Sequence, residues 1–173
     1  MHRFFVLFLL ALLVSCTATG GNPHAGHGFM EHRSTPSPIQ WHTLSEGKKI
    51  SLETGKPAVI DFYTAEECPR CRKMDRDVYS DPEVIRRLNT EFVAIRIDLA
   101  KDLTPGEKAV GDKFGYMEEC LLVFMTPDGE AVKDPAGKKL CFAEAIDVKW
   151  FLSYLDATLD AMKQAPNKTG VKR

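Results

Sequence analysis

Apolar residues in this chain recur with two different periods, and the change of period predicts alternating strands and helices. Ala58-Val59-Ile60-Asp61-Phe62-Tyr63 is nearly continuous in apolar character, the pattern of a strand in a sheet covered on both faces. Residues 92–99 alternate Val93, Ile95 and Ile97 against Arg96 and Asp98, which predicts a second strand. A third apolar strand over 121–125 is turned at Thr126-Pro127-Asp128-Gly129, and segments 130–133 and 139–142 are expected to pair beyond it. Helices fill the intervals. One is predicted over 44–53 and broken by Gly55-Lys56-Pro57; another runs over 69–78 with proline at its tolerated first position. Ser80-Asp81-Pro82-Glu83 starts a helix through 88, since serine or aspartate can cap it. A helix over 105–114 follows, and 148–162 closes the domain with Phe151, Leu152, Leu155 and Leu159 on one face.

The flanks read differently. His2 and Arg3 precede eleven apolar residues, 4–14, too short a stretch to span a bilayer comfortably and suited to an export signal over 1–15, the alternative being an uncleaved membrane anchor. Leu13-Val14-Ser15-Cys16 resembles the lipobox of bacterial lipoproteins. That resemblance implies cleavage before Cys16, a diacylglycerol thioether on its sulfur and an acyl chain such as palmitate on its amine. Several acyl chains, at about 0.8 kcal/mol per buried CH₂, would hold the protein on a membrane. Thr17 stands where an aspartate would be expected for inner-membrane retention, which favours the outer membrane of a two-membrane host. Residues 16–40 then form the lipidated cysteine and a tether rich in glycine and proline. Its His24, His27, Met30 and His32 are ligands that suit copper, or incidental residues of a soluble spacer. The folded domain is expected over 41–165, with a basic tail over 166–173.

A length of 173 residues allows one ordinary domain with such appendages. A net charge of −1 offers no electrostatic footprint for nucleic acid. The five cysteines become four thiols once Cys16 is lipidated: Cys68, Cys71, Cys120 and Cys141. Outside the cytoplasm all four could take part in disulfide chemistry. Cys68-Pro69-Arg70-Cys71 carries the strongest signal. Two thiols three residues apart at a helix start can close a small disulfide ring and reopen it. The first lies where unpaired N–H groups and the helix dipole favour a thiolate. Structural zinc knuckles share the spacing, so metal binding stays open at this point.

The order of elements, with Lys56-Pro57-Ala58-Val59-Ile60-Asp61-Phe62-Tyr63, the Cys68–Cys71 motif and Ser80-Asp81-Pro82-Glu83-Val84, is similar to the C-terminal thioredoxin domain of DsbD and related envelope thioredoxins. The resemblance covers about residues 41–160. It implies an α/β thioredoxin fold, a central mixed sheet flanked by helices. By position, Cys68 matches the attacking thiolate, Cys71 the resolving thiol, and Asp61 the buried carboxylate that helps move protons at the inner cysteine. It also implies partners that are thiol- or disulfide-bearing envelope proteins, a membrane electron donor of the DsbD type, a lean towards reduction, and no organic cofactor.

Four departures qualify that picture. Asp61 lies seven residues before Cys68 rather than the usual six, so one residue is inserted within 64–67. Glu67 replaces the tryptophan common before the first cysteine; with Glu66 it opposes a thiolate that Arg70 and Arg72 favour. Cys120 stands where the family has a cis-proline, and the Glu119–Cys120 bond is expected to be trans. Cys141 falls near a small residue of the last strand, which places both extra cysteines on one hairpin on the side of the Cys68–Cys71 motif. They can be inert buried thiols, a second disulfide (structural, or passing electrons on from Cys68–Cys71), or, with Cys68 and Cys71, a four-thiolate site for zinc or an iron–sulfur cluster. The readings carried forward are a lipid-anchored thiol–disulfide oxidoreductase of the bacterial envelope, facing the periplasm or exterior, a metal-binding module that could handle copper, and a redox-inactive adaptor.

Overall fold

Thr43 begins the first helix by a reciprocal cap. Its hydroxyl accepts from the Glu46 N–H while the Glu46 carboxylate accepts from the Thr43 N–H. The computed structural model describes residues 38–64, 68–117 and 120–164. The export signal, Cys16, the histidine tether, Glu66, Glu67, the Glu119–Cys120 bond and the basic tail therefore lie outside the described residues. In chain order the elements are α1 (Leu44–Thr54), β1 (Ala58–Tyr63), α2 (Pro69–Lys73), which runs on as a π-helical turn (Met74–Val78), and α3 (Pro82–Thr90). Then come β2 (Val93–Asp98), α4 (Pro105–Phe114), β3 (Leu122–Met125), β4 (Cys141–Phe142) and α5 (Val148–Gln164).

Local chemistry explains the boundaries. Gly55 closes α1 at φ 70°, a left-handed conformation that favours glycine. Asp81 caps α3 by accepting from the N–H groups of Glu83 and Val84, and Pro82 occupies the first turn. Thr104 and Glu107 repeat the reciprocal cap at α4.

The sheet has the order β2-β1-β3-β4. β1 pairs with β2 in parallel and with β3 antiparallel, and β3 pairs with β4 antiparallel. Two apolar layers enclose it. On one face Val59, Ala94 and Phe124 pack with Met74 and Val78 of the α2 run, with α3, and with Phe151 and Leu155 of α5. On the other, Ile60, Phe62, Ile95 and Val123 pack with Leu44 of α1 and Phe114 of α4. β1 is buried through its first five residues because helices cover both faces, as its unbroken apolar character predicts. The expected α/β architecture is present.

Two expected features are present in a modified form. The helix over 69–78 is not α-helical throughout, because its second half takes the π form. The segment 130–133 forms bridges rather than a continuous strand. It nevertheless pairs with 139–142 as expected, through the Lys133–Lys139 bridge and the Leu140 N–H donating to the Val132 carbonyl, and with β3 through the Met125–Ala131 bridge.

Candidate functional site

The site forms where β1 ends and α2 begins. Cys68 is the N-cap of α2, in extended conformation, and Pro69 follows at a position that needs no N–H donor. The Cys71 N–H donates to Cys68 Sγ at 3.0 Å, so a first-turn backbone donor is aimed at the first sulfur. Cys68 is half-buried, whereas Cys71 is 1% exposed. The two are joined in a disulfide with Cα atoms 5.2 Å apart. One accessible and one enclosed sulfur on a single helical turn is an arrangement that can accept attack at Cys68 and keep Cys71 for intramolecular reaction.

Beneath this ring lies a cluster of charged and aromatic groups. Asp61 and Arg96 are register partners on β1 and β2, and both side chains share the parity of residues facing the α2 layer. Asp61 is fully buried, and its two oxygens accept from Arg70 Nη1 at 3.0 Å and Arg96 Nη2 at 3.3 Å. Arg96 Nη2 also donates to Asp75 Oδ1 at 2.8 Å, and the Tyr63 hydroxyl donates to Asp75 Oδ2 at 3.0 Å. The Arg96 guanidinium lies 4.0 Å from the Trp41 ring centre and 4.1 Å from that of Tyr63, each such stack worth about 0.5–2 kcal/mol. Two cations and two carboxylates thus tie the first turn and the middle of the α2 run to the sheet. The π turn carries Asp75, and π turns are often found at functional sites.

Burial, reinforced by Asp61, holds the Tyr79 phenol well above its ordinary range. Burial first, then its bond to Asp75, also raises Tyr63. The Tyr79 hydroxyl is buried near the Asp61 carboxylate, but at a geometry outside that of an ordinary hydrogen bond, so it is left without a well-formed partner among the described residues.

Every expected residue within the described region can now be placed. Cys68, Cys71 and Asp61 come together as the motif implied. Asp61, however, makes its side-chain bonds to arginines, which tie up the carboxylate expected to move protons at Cys71. Arg70, expected with Arg72 to favour the thiolate, has a side chain that is only 8% exposed and pairs with Asp61. Arg96, Asp75, Tyr63, Tyr79 and Trp41 were not singled out. One signal was present: a charged residue at an inward parity of a doubly covered strand requires a buried counter-charge, and Asp61 was the available one.

Cys120 and Cys141 form a second disulfide, Cα atoms 5.1 Å apart, which selects the pairing reading over free thiols. Their placement beside the Cys68–Cys71 motif is corrected in part. Cys120 precedes β3 at the sheet end where β1 finishes, because β1 and β3 run antiparallel and Phe62 N–H donates to the Leu121 carbonyl. Both sulfurs nevertheless belong to the layer with α1 and α4, whereas the α2 run packs on the opposite face. Cys141 shares the face of its register partner Val123, and Cys120, which precedes β3 and is outside its alternation, joins it there through the disulfide. All four sulfurs are thus taken up in two separate disulfides rather than gathered at one centre. Among the described residues no group of three or more His, Cys, Asp or Glu is arranged to hold a metal ion.

The family described as a thioredoxin-like domain matches residues 44–139. The thiol:disulfide interchange protein DsbD 1 of Pseudomonas aeruginosa is 26% identical over 110 residues, covering 60% of this chain and 18% of that protein. The chain therefore spans less than a fifth of that relative's length. A thioredoxin from Thermus thermophilus aligns over 79% of this chain and 100% of its own, at TM-score 0.56 and 19% identity. The DsbH oxidoreductase aligns over 84% of this chain and 96% of its own, at TM-score 0.52 and 17% identity. At those identities the two structures establish the thioredoxin fold.

Proposed function

This chain belongs to the thioredoxin-like domain family, and from that premise we propose that it is a thiol–disulfide oxidoreductase of the Dsb type, working in the bacterial envelope on protein partners. The carrying observation is the Cys68–Cys71 pair at the start of α2, with one sulfur reachable and the other enclosed.

The dithiol form acts in two displacements. Cys68, as thiolate, attacks one sulfur of a partner disulfide; a Cys68–partner disulfide forms and the other partner sulfur leaves as thiolate. Cys71 then loses its proton and attacks Cys68 Sγ, which closes the Cys68–Cys71 disulfide and releases the partner's second thiol. Two electrons pass to the partner, and the enclosed position of Cys71 confines its attack to the neighbouring sulfur. An external dithiol must restore the pair, and similarity to part of a DsbD protein supports a membrane donor of that type and a lean towards reduction. Lipid attachment at Cys16, facing the periplasm or exterior, completes the proposal; it is supported by the Leu13-Val14-Ser15-Cys16 pattern.

The test is direct. Reduced protein should reduce a disulfide-bonded protein substrate, Cys68→Ser should abolish the reaction, and Cys71→Ser should accumulate a mixed disulfide through Cys68. Undiminished turnover in Cys68→Ser removes the proposal. Radiolabelled palmitate incorporated into the wild type, and lost in Cys16→Ala, tests the anchor separately.

A further inference from the structure

β4 is the last strand of the sheet, and its outer edge is open. Leu140 turns both backbone groups inward: its N–H donates to the Val132 carbonyl and its carbonyl accepts from the Phe124 N–H. The Phe142 carbonyl also turns inward, accepting from the Leu121 N–H at 2.8 Å. Alternation along a strand therefore points the N–H and C=O of Lys139 and Cys141 outward, where no further strand pairs with them among the described residues. Side chains alternate as well. Cys141 lies in the layer with α1 and α4, while Phe142 lies in the α5 layer against Tyr154 at 4.3 Å, with Trp150 beyond it 59% exposed. Cys141 is half-buried and Cys120 fully buried, and Cys120 reaches its partner from the β3 side. Lys133 and Lys139 stand opposite each other, both exposed, and neither has an ion pair among the described residues.

We propose that Cys120–Cys141 is a second exchange site, opened by an extended, cysteine-bearing segment of a partner protein that adds to the edge of β4. The inference goes beyond the reading of Cys68–Cys71 and does not depend on it. An antiparallel segment bonds its own backbone to the outward N–H and C=O of Cys141. The residue directly opposite Cys141 then shares its face, with Cβ atoms about 4.5–5.5 Å apart, near the reach of a disulfide. A thiolate there stands on the side of Cys141 away from Cys120. The three sulfurs line up across three neighbouring strands, as displacement at sulfur requires. The partner sulfur bonds to Cys141 Sγ, the Cys120–Cys141 bond breaks, and Cys120 leaves as a thiolate that takes up the proton the partner thiol gave up. The partner cysteine is oxidised and Cys120 reduced, so no further reagent enters. Recognition follows from the two faces. Residues flanking the partner cysteine point towards Phe142, Tyr154 and Trp150 and are apolar. The residue two places after it lies opposite Lys139 and is acidic, because two facing lysines repel until a carboxylate joins them. The same lysines oppose a second copy of the chain, whose edge would bring more positive charge.

The experiment mixes the oxidised full chain, carrying Cys68→Ser and Cys71→Ser, with a capped seven-residue peptide. The peptide has a central cysteine, valine on either side and glutamate two places after it. Acid quenching and peptide mapping by mass spectrometry locate and count the mixed disulfide. The parent peptide should add to Cys141 about tenfold faster than a version N-methylated at its cysteine, whose N–H faces β4 and loses its bond. A version N-methylated at the valine before the cysteine, whose N–H points to solvent, should stay within about twofold of the parent. Replacing the glutamate by lysine should slow addition about threefold, and Lys139→Glu in the protein should reverse that preference. Equal rates for the two N-methylated peptides, an adduct at Cys120, no adduct at all, or copies of the chain cross-linked through Cys141 ahead of the peptide overturn the proposal. Should the double variant fail to fold, the wild type is read with the same peptides, since mapping separates the two cysteine pairs. A wild type in which Cys141 reacts while Cys68–Cys71 exchanges with nothing brings down only the earlier reading.

Discussion

Replacing Tyr79 with phenylalanine should stabilise the oxidised protein, although the residue is buried in the core. The ring stays useful: it packs edge-on against Trp41 at 5.1 Å and Phe151 at 5.8 Å, and phenylalanine preserves both contacts. Only the hydroxyl is lost. It is buried with no well-formed hydrogen-bond partner among the described residues, and an unsatisfied buried polar group costs about 1–3 kcal/mol. The variant is therefore expected to gain about 1 kcal/mol at pH 7, at the lower end of that range. The gain should grow in alkali. Burial, helped by Asp61, raises the folded phenol well above its ordinary range, so folded Tyr79 keeps its proton when the unfolded chain has begun to lose it. Stability from this group is thus complete below the unfolded value near 10 and falls as pH climbs from there through the folded value. At pH 10.5 the wild type should have lost about 0.8 kcal/mol that Tyr79→Phe retains, on the linkage relation for one group. Urea unfolding followed by far-UV circular dichroism, at pH 7 and 10.5 with both disulfides intact, measures both quantities. If Tyr79→Phe is less stable than wild type by 1 kcal/mol or more at pH 7, the hydroxyl is bonded in solution, with Asp61 the nearest candidate, and the reasoning fails.

Two further outcomes are expected. Changing Cys120 and Cys141 together to alanine should lower stability by about 3 kcal/mol, the chain-entropy value for a separation of 21 residues, in urea melts of the oxidised protein. The same variant should leave the glutathione equilibrium of Cys68–Cys71 within about twofold of wild type, because Cys120 and Cys141 pack in the layer with α1 and α4 whereas the helix that follows Cys68 packs in the other; a larger shift would mean that the two pairs are coupled. Asp81→Ala removes the acceptor for the Glu83 and Val84 N–H groups and should cost about 1 kcal/mol, with Asp81→Ser recovering most of it; an unchanged unfolding midpoint would show that water caps α3 equally well.

Much of the molecule was determined by the sequence alone. The unbroken apolar character of β1, the alternation in β2, and the capping residues Asp81 and Thr104 locate the elements, because backbone propensity and capping act over a few neighbouring residues. The Cys68–Cys71 pair was equally legible, since a three-residue spacing at a helix start is a local property.

What only the tertiary structure decided is where side chains go once β1 meets β2 and β3. Parallel register sets Arg96 against Asp61, burial of that carboxylate draws Arg70 in from the redox ring, and the strand parity of Cys141 sends the second disulfide to the other face. Each outcome depends on charges and sulfurs distant in sequence sharing a space that solvent does not reach. No window along the chain contains that information, because the energy of a buried charge is set by the partner that packing delivers.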